Sequence, residues 1–255
     1  MSSVRVLILA GQRAGVVDPL CAASGEKRKA LIPILGRPML HYVLDALSDA
    51  NLKTPFHICG CPADVDVRLI DAPSAQGPAD SAMAALKSGI EFPVLMTTAD
   101  HPLLTPMMIT EFIETSKMSG ADFTIGLAQE SIIRPAYPDM KRTYLRFSDG
   151  GVSGCNLFYI ANEKGLKAIE FWQEAQHFRK QPLKLACKLS LSLFWRYWRG
   201  TLSLGAALDY ASKTLGIKAA PVMMSMAEAS IDVDKPADRD LVEAILLRRA
   251  NEESS

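Results

Sequence analysis

The sequence has no excess of either charge. Its 255 residues include 28 Lys and Arg and 28 Asp and Glu, which give a formal net charge of +0 at pH 7. A chain without net charge has no overall field that would favour nucleic acid or an anionic membrane. We therefore expect no nucleic-acid partner, and any anion site must be formed by a local group of basic side chains.

Cysteines and long apolar runs are also scarce. The five cysteines are an odd number and include no paired C-x-x-C sequences, so neither a disulfide framework nor a zinc site is indicated. The N-terminal apolar run from Val4 to Ala10 is too short for a membrane-spanning helix and lacks a signal-peptide cleavage pattern. These absences predict a cytoplasmic protein.

What the sequence does contain is an alternation of short apolar runs and longer amphipathic segments. This order predicts an α/β fold, with a mixed, mainly parallel sheet flanked by helices, in a single domain over residues 1–255. Proline suits a first helical turn and marks several helix starts. The predicted strands are Arg5–Leu9, Phe56–Cys59, Val67–Ile70, Val94–Thr98, Phe123–Leu127, Leu145–Phe147, Asn156–Ile160 and Lys218–Met223. The predicted helices are Met39–Asn51, Pro78–Lys87, Pro106–Met118 and one that opens at Pro236.

The second half of the chain is less regular. Residues 145–160 read as two strands joined by a glycine-rich turn at 150–154, which predicts an antiparallel pair beside the parallel strands. Residues 177–205 are a candidate helical elaboration, and residues 251–255 are predicted to be a disordered tail.

A glycine loop, LAGQRAG at residues 9–15, follows the first predicted strand directly. Backbone N–H groups in such a loop can approach an anion closely at the carboxyl end of a sheet, and phosphate is the natural candidate. Neither G-x-G-x-x-G nor the G-K-[ST] of a P-loop is present, so those two phosphate sites are excluded. The loop closes with Lys27, Arg28 and Lys29. At least one of these cations is expected to lie over the anion, which suits a triphosphate, and a solvated basic turn is the alternative for Lys27 and Arg28.

Several segments together resemble the nucleotidyltransferases of GT-A-like, Rossmann-related fold. They are LAGQRAG, DPL at residues 18–20 and KALIPILGRPML at residues 29–40, of which the last is the most specific. The resemblance implies that Lys29 neutralises the nucleotide phosphates and that Arg13 stands near the usual arginine position, both as catalytic residues. It also implies nucleotide contacts from the glycine loop, at Leu9, Ala10, Gly11, Gln12 and Gly15.

Three further segments match the same family in the expected order. QGPADSAMAAL at residues 76–86 resembles its base and ribose segment, which implies nucleotide contacts at Gln76, Gly77 and Ser81. TTADHPLL at residues 97–104 and IDVDKPADRDL at residues 231–241 resemble its metal motifs, which implies that Asp100 and Asp234 bind Mg²⁺. Asp100 could instead cap the next helix, and Asp232 competes with Asp234.

The reaction of this family explains these residue types. When an acceptor phosphate attacks the α-phosphorus of an NTP, both partners are anions, so catalysis is mostly positioning and charge neutralisation. Mg²⁺ prefers one or two carboxylates together with phosphate oxygens and waters. We therefore predict an Mg²⁺-dependent enzyme that transfers an NMP unit from CTP, UTP or GTP to a sugar or polyol phosphate and releases pyrophosphate.

Three alternatives remain open. One is an enzyme that resembles molybdenum cofactor guanylyltransferases, and another is a non-catalytic nucleotide-binding protein of the same fold. The third is a glycosyltransferase, because Asp232-Val-Asp234 formally fits a D-x-D metal motif.

Acceptor recognition is expected in the less regular half of the chain. A phosphate needs an Arg or Lys partner and close backbone approach, which makes Arg142, Gly154 and Asn156 the candidate acceptor-binding residues. Residues 177–199 are basic and amphipathic if helical. Such a helix either packs in the core or in a homodimer, or makes a peripheral membrane contact, which liposome co-sedimentation would test.

Overall fold

The computed structural model describes residues 3–12, 18–177 and 191–253. Strand β1 (Arg5–Leu9) lies in the middle of an eight-stranded sheet, with Val6, Leu7 and Ile8 fully buried. Apolar side chains on both faces are what a central parallel strand requires, because helices cover the sheet on both sides. The short apolar run at the N-terminus is therefore the centre of the fold.

The remaining strands extend the sheet in both directions. The strands are β2 (Pro33–Ile34), β3 (Arg37–Pro38), β4 (Phe56–Cys59), β5 (Leu69–Asp71), β6 (Val94–Thr98), β7 (Phe123–Gln129), β8 (Leu145–Phe147), β9 (Gly150–Ile160) and β10 (Ala219–Met223), of which β2 and β3 form a separate antiparallel hairpin. The order in the main sheet is β10-β7-β9-β6-β1-β4-β5, with β8 paired to β9 outside this path. In this sheet β9 is antiparallel to β6, β7 and β8, and the other pairs are parallel, so the predicted mixed, mainly parallel sheet is confirmed.

Helices pack on both faces of the sheet. The helices are α1 (Pro19–Ser24), α2 (Met39–Asp49), α3 (Pro78–Lys87), α4 (Pro106–Ser119), α5 (Glu130–Ala136), α6 (Leu166–His177), α7 (Leu191–Trp198), α8 (Leu204–Leu215) and α9 (Pro236–Glu253). Val6 and Ile8 share one apolar cluster with α2, α4 and α9, whereas Leu7 and Leu9 share the other with α3 and α6. Alternation along β1 thus holds the two helical layers in place.

The structure corrects two predictions in the second half of the chain. Residues 150–154 are not a turn, because they form the start of β9, and the connection to β8 lies at residues 148–149. Residues 251–253, predicted to be disordered, are the last turn of α9.

The predicted helical elaboration at 177–205 is described only in part. Residues 178–190 lie outside the described residues, while α7 lies on the surface with exposed aromatic side chains, including Trp195 and Trp198. Within the described part of the chain, no helix combines the length and the hydrophobicity that a membrane span requires.

Candidate active site

A cavity of about 390 Å³ opens where three parallel strands end, at Leu9 of β1, Cys59 of β4 and Thr98 of β6. Parallel strands bring their carboxyl ends to one edge of a sheet, which is where open α/β sheets bind ligands. The predicted residues that line this cavity are Leu9, Gly11, Gln12, Gln76, Gly77, Ser81, Asp100, Asn156 and Asp234. Segments far apart in the sequence therefore share one space.

Lys29 joins the two predicted metal-binding carboxylates. Its Nζ atom lies 2.6 Å from Asp100 Oδ2 and 2.6 Å from Asp234 Oδ1, and its side chain is only 15% exposed. Burial by itself would raise the pKa of Asp100, but the Lys29 ammonium outweighs this effect and holds that pKa below its ordinary value. Burial likewise acts to lower the pKa of Lys29, but the two carboxylates raise it above its ordinary value, so Lys29 is charged at neutral pH.

Backbone contacts bring the two aspartates together. The Val233 N–H donates to the Asp100 carbonyl at 2.9 Å, which fixes the segment before α9 against the end of β6. Asp238, in the first turn of α9, accepts from the N–H groups of Asp234 and Lys235 at 3.1 and 3.0 Å. A carboxylate in the first turn of a helix also interacts favourably with the helix dipole.

The glycine loop is described as far as Gln12. The predicted catalytic Arg13 and the predicted nucleotide-binding Gly15 lie outside the described residues. Ala10 is buried, and its N–H donates to the Cys59 carbonyl at 2.9 Å. Turning the Gln12 amide lets its nitrogen donate to the Lys27 carbonyl and its oxygen accept from the Lys29 N–H, at 2.9 and 3.1 Å. Gln12 is thus placed to join the two ends of the loop.

Gly60 shapes this loop, although the sequence indicated no role for it. A Cβ atom on Gly60 would lie 2.3 Å from Gly11 Cα, and the residue has a left-handed φ of +88°. The Arg28 guanidinium donates to the Gly60 carbonyl at 3.0 Å. The Cys59-Gly60-Cys61 turn therefore supports the glycine loop from behind, and Arg28 ties the far end of the loop to it.

Gly60→Ala should disturb the predicted nucleotide site as well as the fold. Gly89→Ala is the matched control, since its φ is +103° and no atom lies within 4 Å of an added Cβ. Both variants should lose about 1–2 kcal/mol of unfolding free energy from left-handed strain. Gly60→Ala should lose a further ~1–3 kcal/mol from overpacking against Gly11 and should raise the KM for the nucleotide. Urea unfolding and nucleotide kinetics would measure this, and equal effects of the two substitutions would contradict the role given to Gly60.

The far wall of the cavity combines the start of α3 with α6. Ser81 Oγ accepts from the Ala75 N–H at 2.9 Å and lies 3.2 Å from the Ala75 carbonyl oxygen, which folds the segment before α3. A Cβ atom on Gly77 would lie 2.1 Å from Gln176 Nε2, so glycine leaves room here for this side chain of α6. Sequence reasoning missed the lining residues Cys59, Ala75, Pro78, Thr98, Phe158 and Trp172.

The predicted acceptor residues form one network around Asp232. Arg142 Nη1 donates to Asp232 Oδ1 at 2.6 Å, and its other nitrogens donate to Ser153 Oγ and the Gly154 carbonyl at 2.7 and 3.1 Å. Asn156 Nδ2 donates to Asp232 Oδ2 at 3.0 Å from a left-handed φ of 52°. Asp232 therefore holds Arg142 and Asn156, while Asp234 faces Lys29.

A family model of known proteins matches this chain. The family model described as a MobA-like NTP transferase domain matches residues 6–180, which is more than half of the chain. A search of curated protein sequences gave no match.

Solved structures extend the likeness over nearly the whole chain. A hypothetical transferase from Thermus thermophilus is 26% identical, with a TM-score of 0.79 over 93% of this chain and 100% of that one. A 2-C-methyl-D-erythritol 4-phosphate cytidylyltransferase, also from Thermus thermophilus, is 14% identical, with a TM-score of 0.52 over 96% and 98%. A CMP:2-keto-3-deoxy-manno-octonic acid synthetase complexed with CTP is 13% identical, with a TM-score of 0.56 over 97% and 100%. The last two show a shared fold.

Proposed function

This chain belongs to the family of MobA-like NTP transferase domains, and we propose that it transfers an NMP unit from CTP, UTP or GTP to a sugar or polyol phosphate. A phosphate oxygen of the acceptor attacks the α-phosphorus, a new P–O bond forms, the bond between the α- and β-phosphates breaks, and pyrophosphate leaves. No protein nucleophile takes part.

The contact of Lys29 with Asp100 and Asp234 at the cavity carries this proposal. Both substrates are anionic, so a catalyst must neutralise charge and hold the partners in line. Lys29 supplies a fixed, largely buried positive charge at the end of the glycine loop. We expect the N–H groups of Gly11 and Gln12 and the start of α3 to bind the phosphates and the nucleoside.

Mg²⁺ fits this donor set. Among the described residues, Asp100 Oδ1 is buried without a hydrogen-bond partner, so this carboxylate oxygen is available to a cation. No group of three or more His, Cys, Asp and Glu side chains in the described ranges could hold a metal alone, but Mg²⁺ needs only one or two carboxylates when phosphates complete its shell. We propose that Asp100 and Asp234 hold Mg²⁺, which when bound would neutralise charge on the phosphates.

A second candidate is GTP with a molybdopterin acceptor, as in molybdenum cofactor guanylyltransferases. The match to the MobA-like family model favours it. The KALIPILGRPML segment favours the sugar-phosphate branch, so a sugar or polyol phosphate is the first acceptor class to test.

Pyrophosphate release tests the proposal directly. The protein is incubated with each NTP, Mg²⁺ and a panel of phosphorylated sugars and polyols, and molybdopterin is tested in parallel with GTP. We expect pyrophosphate with one nucleotide only when an acceptor is present. A protein that binds a nucleotide but releases no pyrophosphate with any acceptor would be a non-catalytic member of the family. Turnover of a nucleoside diphosphate sugar without pyrophosphate would point to a glycosyltransferase.

The cytoplasmic location, the homodimer and the membrane contact through residues 177–199 stay predictions. Exposed Trp195 and Trp198 on α7, next to Arg196 and Arg199, are the described features that support the membrane contact.

A further inference from the structure

Shared lining residues link two further cavities to the cavity of about 390 Å³, which we call the nucleotide cavity. Asp234 lines the nucleotide cavity and also a neighbouring cavity of about 250 Å³, which Asp232 and Asp238 line as well. That cavity shares Lys141, Arg142 and Lys235 with a larger cleft of about 680 Å³, which we call the basic cleft. The basic cleft is therefore a neighbour of the reaction centre through the cavity between them.

The basic cleft is strongly cationic in a chain without net charge. Its lining includes the cations Arg134, Lys141, Arg142, Arg146 and Lys235 and contains no Asp or Glu among the described residues. A local excess of one charge on a concave surface attracts and orients a ligand of the opposite charge.

Nearby carboxylates neutralise the arginines but not the lysines. Glu130 pairs with Arg134 at 3.1 Å and with Arg146 at 2.5 Å. Asp232 pairs with Arg142 at 2.6 Å. Within the described ranges, no carboxylate lies within salt-bridge distance of the Lys141 or Lys235 ammonium, and both residues are exposed at the junction of the two cavities.

The position of these lysines indicates what they would bind. The reacting phosphate of an acceptor must lie near Lys29 and Asp234 to reach the α-phosphorus. Lys29 therefore already neutralises the charge of this reacting phosphate. Lys141 and Lys235 are placed beyond Asp234, where only a more distant part of the acceptor could reach. A neutral sugar hydroxyl gains little from two ammonium groups, whereas a phosphate or carboxylate gains charge-assisted hydrogen bonds.

We propose that the acceptor carries a second anionic group, a phosphate or a carboxylate, which binds to Lys141 and Lys235 in the basic cleft. This inference rests on the proposed nucleotidyl transfer, since it names the class of acceptor for that reaction. It also reassigns acceptor recognition, because Arg142 is held by Asp232 and becomes a positioning residue for the wall between the cavities.

Matched acceptor pairs test this inference. Each pair differs only in the second anion: 3-phosphoglycerate with glycerol 3-phosphate, 2-phosphoglycerate with glycerol 2-phosphate, and glucose 1,6-bisphosphate with glucose 1-phosphate. We consider each pair of which the enzyme accepts at least one member as a substrate. In such a pair, kcat/KM from pyrophosphate release should be at least roughly tenfold higher for the member that carries the second anion. In Lys141→Gln/Lys235→Gln this preference should fall by roughly tenfold or more, to near parity between the two members, through the KM for the acceptor.

The controls separate charge from fold and from nucleotide binding. Lys141→Arg/Lys235→Arg should keep the preference, and Lys87→Gln, at an exposed lysine that does not line the cleft, should leave it unchanged. Equal turnover of both members of every pair would overturn the inference while the transferase stands, as would a rise in the KM for the NTP that matches the rise for the acceptor.

If none of these acceptors is turned over, a binding measurement tests the anion site instead. The proposed function would then fail, and calorimetric titration with 3-phosphoglycerate and with glycerol 3-phosphate would test the cleft alone. Tighter binding of 3-phosphoglycerate that is lost in Lys141→Gln/Lys235→Gln would support the anion site. Equal binding of the two compounds, or none, would overturn it.

Discussion

Lys29→Ala should lower kcat/KM for nucleotidyl transfer by roughly 10²–10³-fold, the effect of removing one donor that stabilises a developing anion. The Lys29 ammonium, at the end of the glycine loop, lies 2.6 Å from a carboxylate oxygen of Asp100 and 2.6 Å from one of Asp234. It therefore joins the glycine loop to the end of β6 and to the segment before α9. Without it, two carboxylates would face an anionic substrate with no fixed cation between them. Steady-state pyrophosphate release would measure the loss.

Lys27→Ala is the matched control for this substitution. Lys27 lies in the same loop two residues earlier and is exposed, so its removal should leave kcat/KM within about threefold of the wild type, as for surface substitutions in general. Thermal unfolding of Lys29→Ala would separate lost catalysis from lost folding. Activity of a folded Lys29→Ala close to that of Lys27→Ala would refute the role given to Lys29.

The strands next to the site could be predicted because their sequence signals are local. Arg5–Leu9 and Val94–Thr98 have the predicted bounds, since each is a short, mainly apolar run that is followed two residues later by Gly11 or Asp100. Pro78 and Pro106 open helices as predicted, because proline fits a first helical turn. Motifs at the ends of these elements therefore placed Asp100 correctly at the end of β6.

Local side-chain contacts explain one shifted strand. The predicted strand Val67–Ile70 is wrong in its bounds, since β5 is Leu69–Asp71. Asp66 Oδ1 accepts from the Arg68 N–H at 2.9 Å and turns the backbone, which leaves Val67 fully exposed. The β-branched Val67 thus suggested a strand at a position where the Asp66 side chain stabilises a turn.

Two glycines contact residues that are distant in the sequence, and the sequence alone did not indicate these contacts. The prediction of a turn at residues 150–154 is wrong because these residues pair with β7 and β8 as the start of β9. Gly151 lies against the Glu130 side chain, and a Cβ atom there would lie 2.2 Å from Glu130 Oε2. Gly60 lies instead against the backbone of Gly11. Neither partner is near in sequence, so these glycines looked like ordinary turn residues.

The lining of the cavity by Trp172 and Phe158 could not be predicted for a related reason. The two rings stack with centroids 5.9 Å apart, and they come from α6 and β9, which lie far along the chain from the predicted nucleotide segment. The packing of α6 on α3 brings Trp172 to the site, and the antiparallel pairing of β9 with β6 brings Phe158 there.

Asp100→Asn should remove metal-dependent turnover and leave the fold intact. The amide has nearly the same shape as the carboxylate but carries no charge, so the pair with Asp234 loses half of the negative charge available to Mg²⁺. Pyrophosphate release measured against Mg²⁺ concentration should fall by at least about 10²-fold, while thermal unfolding stays cooperative.

Asp232→Asn is the informative comparison, because it decides between two pairs of aspartates. Asp232 is held by Arg142 and Asn156 rather than by Lys29, so its amide variant should disturb the wall of the cavity but keep the response to Mg²⁺ concentration. A D-x-D glycosyltransferase would instead need Asp232 together with Asp234. If Asp232→Asn lost its Mg²⁺ response and Asp100→Asn kept it, the carboxylates of the site would be the adjacent pair, and the transferase proposed from Lys29, Asp100 and Asp234 would be the wrong enzyme.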